Sequence, residues 1–220
     1  MYEKTVYKFD RKTFDPKTNR EHYKIHNALV RQGFSRSCNM RQLWENDWKA
    51  DLPNIWYGVA STALIDTLIT DEYKRIKDGV VLDAGCGMSP DVNICIRTGF
   101  KKAYAMDLID LKHFHRSKVS FPRVGVEFIQ GDFVEKIPLH KRSVDLVISQ
   151  AVLDLVEPES RPDFYENVYN ILKKGGLFAV FFQSLKHGHG FIFKNEVEQI
   201  KAHGFKRLKG CGTSVLFSKL

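Results

Sequence analysis

The sequence predicts an α/β fold: a doubly wound, mostly parallel seven-stranded sheet with an antiparallel C-terminal strand and a helical N-terminal cover. Three observations carry this. From residue 80 onward, short apolar runs alternate with helical-looking segments, the mark of a parallel sheet wrapped by helices. Most of these runs are too continuous for a strand with one wet face, which suits strands buried on both sides. Near the C-terminus, two strand-like runs flank a Gly-Cys-Gly turn, a hairpin that closes the sheet in antiparallel fashion.

The elements follow in order. The first nineteen residues are basic and polar. Helices are expected over 20–32, stopped by Gly33, over 40–49, and over 54–70, begun just after Pro53. On the third, Ile55, Val59, Ala63, Leu64 and Leu68 recur at three- and four-residue intervals, so one face should pack on the sheet. This divides the chain into an N-terminal helical extension, 1–52, and a main domain, 53–220. Strands are expected over 80–84, 103–106, 124–129, 144–148 and 177–182, all read as buried central strands. About twenty residues separate the first three, room for one right-handed crossover helix each, which favours the doubly wound arrangement. A helix over 195–202 ends at Gly204, and strands over 205–208 and 214–217 complete the chain.

Composition narrows the class. The 220 residues, 43% hydrophobic and 27% charged, fit one globular domain with an appendage and exclude a disordered or fibrous chain. The longest apolar run, 177–182, is far short of the roughly 18 residues a membrane span needs, so no membrane partner is expected. The opening MYEKTVYKFDRK puts charges where an export signal needs an apolar core, so the expected location is cytoplasmic. Cys38, Cys86, Cys95 and Cys211 form no CxxC pair, which argues against a disulfide framework and a zinc site; no metal is expected. The net charge of +8 can attract nucleic acid, an anionic membrane or an acidic substrate, and equally suits simple solubility.

The segment VVLDAGCGMSPD carries the chemistry. A buried strand ends at Asp83 and Ala84, turns through Gly85 and Gly87, and enters a helix capped by Ser89 with Pro90 in its first position. Glycine lets the backbone turn sharply and lets a ligand lie against it, with the turn's free N–H groups expected to face that ligand. Twenty residues after Gly87, Asp107 ends the second strand just before Leu108, where a carboxylate can accept from both hydroxyls of a ribose. Dinucleotide enzymes use a similar unit, but three features differ. Pro90 stands where their third glycine belongs. Asp83, two before the first glycine, suits a cation better than a diphosphate. Asp132, in FIQGDF after the third strand, is placed to accept from an adenine amino group.

At these residues the sequence resembles the class I S-adenosyl-L-methionine-dependent methyltransferases, over roughly 55–220. DAGCG resembles the family's glycine-rich motif, Asp107 its ribose-binding acid, and Gly131-Asp132-Phe133 its adenine segment. VDLVISQAVLDLV is similar to its fourth-strand motif, LKKGGLFAVFF to the turn before the fifth strand, and the C-terminal pair to its reversed final hairpin. The resemblance implies a Rossmann-like fold, S-adenosyl-L-methionine as cofactor and S-adenosyl-L-homocysteine as product. It places Asp83, Gly85 and Gly87 near the methionine end, Asp107 and Leu108 at the ribose, Asp132 and Phe133 at the adenine, and Ser149 and Gln150 beside the reacting centre. The sequence departs from many relatives at Ser89, where glycine is common, and at Lys174, where proline is common.

Methyl transfer from a sulfonium is an in-line displacement whose main demand is alignment, with a base needed only where the acceptor must lose a proton. Asp154, just past the fourth strand, is the first candidate base, or else a helix-start carboxylate. His187 and His189 follow the fifth strand in QSLKHGHGF and are alternative candidates, or parts of a solvated glycine-rich loop. His113 and His115 read as surface. Trp44 and Trp48, four apart on one helix face, read as core. Trp56 and Tyr57 are placed either in the core or as a cover over cofactor or substrate. SQAVLD lacks the Asn/Asp-Pro-Pro-aromatic motif of amino-methylating DNA and glutamine enzymes and the Pro-Cys nucleophile of cytosine carbon methylation, and no glutamate pair typical of arginine methylation is evident. A small-molecule O, N or S acceptor is therefore expected. RNA or protein is the alternative, motivated by eleven Lys/Arg against six Asp/Glu in the first fifty residues. A cofactor-binding protein without catalysis is the third reading.

Overall fold

The computed structural model describes residues 64, 67, 70–87, 90–108, 125–153, 156–182, 186–187 and 191–220. The first two expected helices, most of the third, and Trp44, Trp48, Trp56, Tyr57, Ser89, His113, His115, Asp154 and His189 lie outside them. Of the third helix, Leu64 and Thr67 are helical and fully buried. Thr70 is extended, and its hydroxyl caps the short helix α1 (Asp71–Ile76) by accepting from the Tyr73 N–H at 3.2 Å. The pattern of apolar residues does not announce this second start.

Strand β1 (Val80–Ala84) leads through the glycine turn to α2 (Pro90–Arg97) and β2 (Lys102–Asp107). β3 (Val126–Gln130) and β4 (Val144–Gln150) follow, then a 3-10 turn (Pro158–Ser160), α3 (Arg161–Ile171) and β5 (Leu172–Phe181). A small hairpin, β6 (Lys186–His187) with β7 (Phe191–Ile192), precedes α4 (Phe193–Ala202), β8 (Phe205–Cys211) and β9 (Ser214–Lys219). Seven strands form one sheet in the order β3-β2-β1-β4-β5-β9-β8. The pairs from β3 to β5 are all parallel, and β9 runs antiparallel to both β5 and β8. This is the doubly wound sheet with an antiparallel C-terminal strand that the alternation predicts.

Three expectations are corrected. β3 is an edge strand with no buried residue, not a central one, and it starts at Val126; its partly wet face explains why an apolar run alone misjudged it. β5 starts at Leu172 rather than 177. Leu172 pairs with Val144 and Leu177 with Leu146, so Lys173–Gly176 bulges out between them, with Gly175 at φ +74°. The QSLKHGHGF segment is not simply a loop, since its backbone pairs Lys186 with Ile192 and His187 with Phe191.

Strand alternation sends Leu82, Ala84, Met106, Phe178 and Val180 to one face, where they meet Phe164, Val168, Val197 and Phe217. Val81, Ala103, Ala105, Leu146 and Ala179 face the other way onto Leu64, Tyr73, Val92 and Cys95. Each fully buried large side chain contributes about 1.5–3 kcal/mol, so these two layers hold the sheet rigid beneath its ends. At the β8 edge, exposed Lys206, Arg207 and Lys209 discourage pairing with another chain.

Candidate functional site

β1 and β4 are neighbours although β2 and β3 intervene in sequence, so the crossovers leave to opposite sides between them. The carboxyl ends of strands at such a switch point form a natural crevice. There the chain places Asp83 and the glycine turn on β1, Asp107 on β2, and Ser149 and Gln150 on β4.

Gly85 has φ +79° and Gly87 φ +47°, the left-handed region that the turn requires. A β-carbon on Gly85 would lie 2.4 Å from Val152 Cγ2, so the turn also packs directly against the segment after β4. The expectation of free turn N–H groups is overturned at these residues. Gly85 and Cys86 both donate to the Met106 carbonyl, at 2.9 and 3.0 Å, and Gly87 donates to Asp107 Oδ2 at 2.9 Å. Buried donors need partners, and the end of β2 supplies them. The turn and Asp107 are therefore one rigid unit. Asp107 and Leu108 are half-buried and Asp83 is buried.

Asp132, just past β3, has Oδ1 accepting from the Val134 N–H at 2.8 Å, an Asx turn that shapes the loop. Phe133 stands edge-on to Phe164, with ring centroids 4.9 Å apart, so its side chain belongs to the core. Asn167 on α3 donates to the Phe133 and Val134 carbonyls, at 3.2 and 2.7 Å, and pins this loop. The sequence reading missed Asn167, because nothing local marks a helix amide that serves a loop 33 residues away.

At the end of β4, Ser149 Oγ and Gln150 Oε1 are buried with no hydrogen-bond partner among the described residues. Asn93 Oδ1, in the first turn of α2, is a third such atom, and the sequence reading singled out nothing there. An unmatched buried polar atom costs about 1–3 kcal/mol, so such oxygens at the carboxyl end of β4 are candidates to meet donors from a ligand. Burial pushes the Cys86 thiol well up, with Asp107 and Asp83 pushing the same way. Burial likewise raises Cys95, helped by Asp91 and Asp83. Both are held toward the thiol form, the less nucleophilic one.

Beyond β4 lies a buried network with no local signature in the sequence. Arg161, fully buried, donates through Nε to the Leu153 and Val156 carbonyls, at 3.1 and 2.9 Å, and through Nη1 to Glu196 Oε1 at 2.7 Å. The Tyr165 hydroxyl donates to Glu196 Oε2, and burial followed by the Glu196 charge holds that phenol protonated far above its usual range. Among the described residues, no group of three His, Cys, Asp or Glu could hold a metal ion.

The donor set fits S-adenosyl-L-methionine. Carboxylates at the ends of β1 and β2 suit hydroxyls and a cation, and the unmatched oxygens of Ser149 and Gln150 suit further donors between them. Comparison with known proteins agrees. A family model described as a methyltransferase domain matches residues 82–180, which run from β1 through the glycine turn, Asp107, Asp132 and β4 into β5. Among solved structures, the chain is similar to the Burkholderia thailandensis 1,6-didemethyltoxoflavin-N1-methyltransferase, which holds 1,6-didemethyltoxoflavin and S-adenosylhomocysteine, with TM-score 0.61 and 16% identity over 96% of each chain. It is similar to a TehB-like S-adenosylmethionine-dependent methyltransferase of Corynebacterium glutamicum, with TM-score 0.59 and 19% identity over 84% of this chain and 100% of that one. A Mesorhizobium loti S-adenosylmethionine-dependent methyltransferase matches with TM-score 0.56 and 15% identity over 70% of this chain and 98% of that one. At such identities the structures speak for the fold, and the family model speaks for the segment it matches. Residues 82–180 thus match a methyltransferase domain, carried on the fold shared with S-adenosylmethionine-dependent methyltransferases, and together these support a class I S-adenosylmethionine-dependent methyltransferase.

Proposed function

We propose that the enzyme methylates a small molecule at oxygen, nitrogen or sulfur by in-line displacement. The observation that carries this reading is the likeness to the Burkholderia enzyme along nearly the whole of both chains, since that N1-methyltransferase holds the small molecule 1,6-didemethyltoxoflavin. The fourth-strand segment Ser149-Gln150-Ala151, without the motif of base-methylating enzymes, supports the same reading.

Bound S-adenosyl-L-methionine supplies a methyl group already activated on sulfur. The protein's part is alignment and exclusion of water, which is where most of the barrier reduction lies for such a donor. In this reading Asp107, oriented by the Gly87 N–H, holds a ribose; Leu108 lines it; Asp83, Gly85 and Gly87 border the methionine end. Asp132 and the backbone of Phe133 hold the adenine, and Ser149 and Gln150 border the reacting centre. Trp56 and Tyr57 cover cofactor or acceptor from the N-terminal side, with the division between extension and main domain at residues 52 and 53. Asp154 takes a proton where the acceptor carries one, with His187 and His189 as the alternative bases. A cytoplasmic location completes the proposal; no helix among the described residues is long and apolar enough to cross a membrane.

The test is transfer of radiolabelled methyl from S-adenosyl-L-methionine into a cell extract, afterwards divided into a small-molecule filtrate and nuclease- and protease-sensitive fractions. Label in the filtrate, lost in Asp107→Ala, is expected. Label removed by nuclease or protease would replace the small-molecule acceptor with RNA or protein.

A further inference from the structure

The segment that follows β4 opens on a left-handed alanine: Ala151 has φ +54°, a conformation that costs an L-residue roughly 1–2 kcal/mol. Its N–H donates to the Phe181 carbonyl at 2.8 Å, which ties it to the end of β5. Val152, the next residue, packs on the glycine turn so closely that Gly85 has no room for a β-carbon. Strain of this kind persists only where the surroundings over-determine the backbone.

Arg161 supplies that restraint. Its guanidinium is fully buried, and an ion pair with Glu196 alone would not explain it, since a hydrophobic pair of similar volume fills such a space as well or better. What no hydrophobic side chain could do is donate to the Leu153 and Val156 carbonyls. Both lie in the segment between β4 and α3; the Leu153 carbonyl also accepts from the Val156 N–H at 3.2 Å, and Arg161 Nε adds a donor to each of the two carbonyls. Glu196, held in turn by Tyr165, fixes the guanidinium from α4. The contacts thus run from α4 through Arg161 to the post-β4 segment, through Val152 to Gly85, and through Gly87 to Asp107.

We propose that Arg161 is a positioning residue for the cofactor crevice: it touches neither cofactor nor acceptor, and it sets the wall against which the glycine turn is held. The proposal rests on the methyltransferase reading and its cofactor, and not on which acceptor is methylated. Lys219 supplies a matched control. It is also a buried cation serving backbone carbonyls, those of Tyr169 and Leu172 at 2.6 and 2.8 Å, but at the opposite end of the sheet.

The experiment measures S-adenosyl-L-homocysteine affinity by calorimetry, thermal midpoint, and hydrogen exchange at the Val152, Leu153 and Val156 amides, in the wild-type chain, Arg161→Lys and Lys219→Met. Arg161→Lys is expected to weaken binding at least fivefold and to speed exchange at those amides. Lys219→Met is expected to lower the midpoint while leaving affinity within twofold. An Arg161→Lys affinity less than fivefold weaker overturns the proposal, as does an equal loss in Lys219→Met, which would mark the effect as general destabilisation. Should Arg161→Lys fail to fold, Glu196→Gln is judged by the same fivefold criterion. Failure of the wild-type chain to bind S-adenosyl-L-homocysteine would overturn the cofactor reading itself, a result distinct from any difference between variants.

Discussion

At the N-terminal end of the parallel strands, Asp145 accepts from the Val80 N–H at 2.8 Å and from Lys173 Nζ at 2.8 and 2.9 Å, while Lys219 donates to two carbonyls at the end of α3. At the C-terminal end, Ser149 Oγ and Gln150 Oε1 are buried and have no partner among the described residues. The same sheet thus satisfies these polar groups with its own atoms at one end and, among the described residues, leaves oxygens unmatched at the other. Since each unmatched buried group costs about 1–3 kcal/mol, the asymmetry is what a ligand completing the C-terminal end would produce. It also separates residues whose loss lowers stability from residues whose loss lowers affinity.

The largest effect that would break this contrast is at Gly85, which belongs to both categories. In Gly85→Ala the left-handed backbone costs about 1–2 kcal/mol, and the new methyl group meets Val152 Cγ2 at 2.4 Å, overpacking worth about 1–3 kcal/mol more. Relief comes by moving the turn off the post-β4 segment or by displacing the Val152 side chain. Cofactor affinity is expected to fall about 100-fold, the equivalent of about 2.7 kcal/mol, with a lower thermal midpoint. An alanine variant that binds S-adenosyl-L-homocysteine like the wild type would show that the close approach has no bearing on the crevice.

How much of this was legible in the sequence depends on how local the physics is. Strands β1, β2 and β4 could be read because both faces are buried, so the run Val144–Ile148 stays apolar but for Asp145. The positive φ of Gly85 and Gly87 could be read because only glycine adopts it freely. β3 was misjudged because burial at a sheet edge depends on what lies beside it, and the start of β5 was hidden behind the Lys173–Gly176 bulge. The use of the turn's N–H groups by Met106 and Asp107 was not legible, because it arises only when β1 and β2 lie in register. Arg161 and Glu196 stand 35 residues apart, and their sequence surroundings suit exposed helix positions.

A second effect, absent at neutral pH, sharpens the contrast through pH. Cys86 lies in the glycine turn and Cys95 on α2, and both thiols are held well above their ordinary range, chiefly by burial. The folded chain therefore keeps two protons that the unfolded chain releases as pH rises past about 8.5. With fewer protons on the unfolded state, stability must fall with rising pH, by about 1.4 kcal/mol per pH unit for each thiol while the folded state stays protonated. Below pH 8 these groups contribute no slope. Denaturant unfolding between pH 8 and 10 should show the decline, and Cys86→Ala with Cys95→Ala together should flatten it. An unchanged slope in the double variant would mean that the two thiols are not sealed beneath the crevice.

The smallest effects test the asymmetry most directly, because the two substitutions should move stability in opposite directions. Asp145→Ala strips the Val80 N–H of its acceptor and Lys173 of its ion pair, and should lower stability by about 2 kcal/mol with cofactor affinity unchanged. Ser149→Ala removes a buried hydroxyl whose oxygen no described residue engages, and should raise the stability of the ligand-free protein by about 1 kcal/mol. The same change should weaken S-adenosyl-L-homocysteine binding about tenfold, because the hydroxyl's partner belongs to the ligand and not to the fold. Thermal unfolding with and without S-adenosyl-L-homocysteine reads both quantities. If Ser149→Ala instead destabilises the free protein, the hydroxyl has a partner within the chain, and the unmatched oxygens no longer distinguish one end of the sheet from the other.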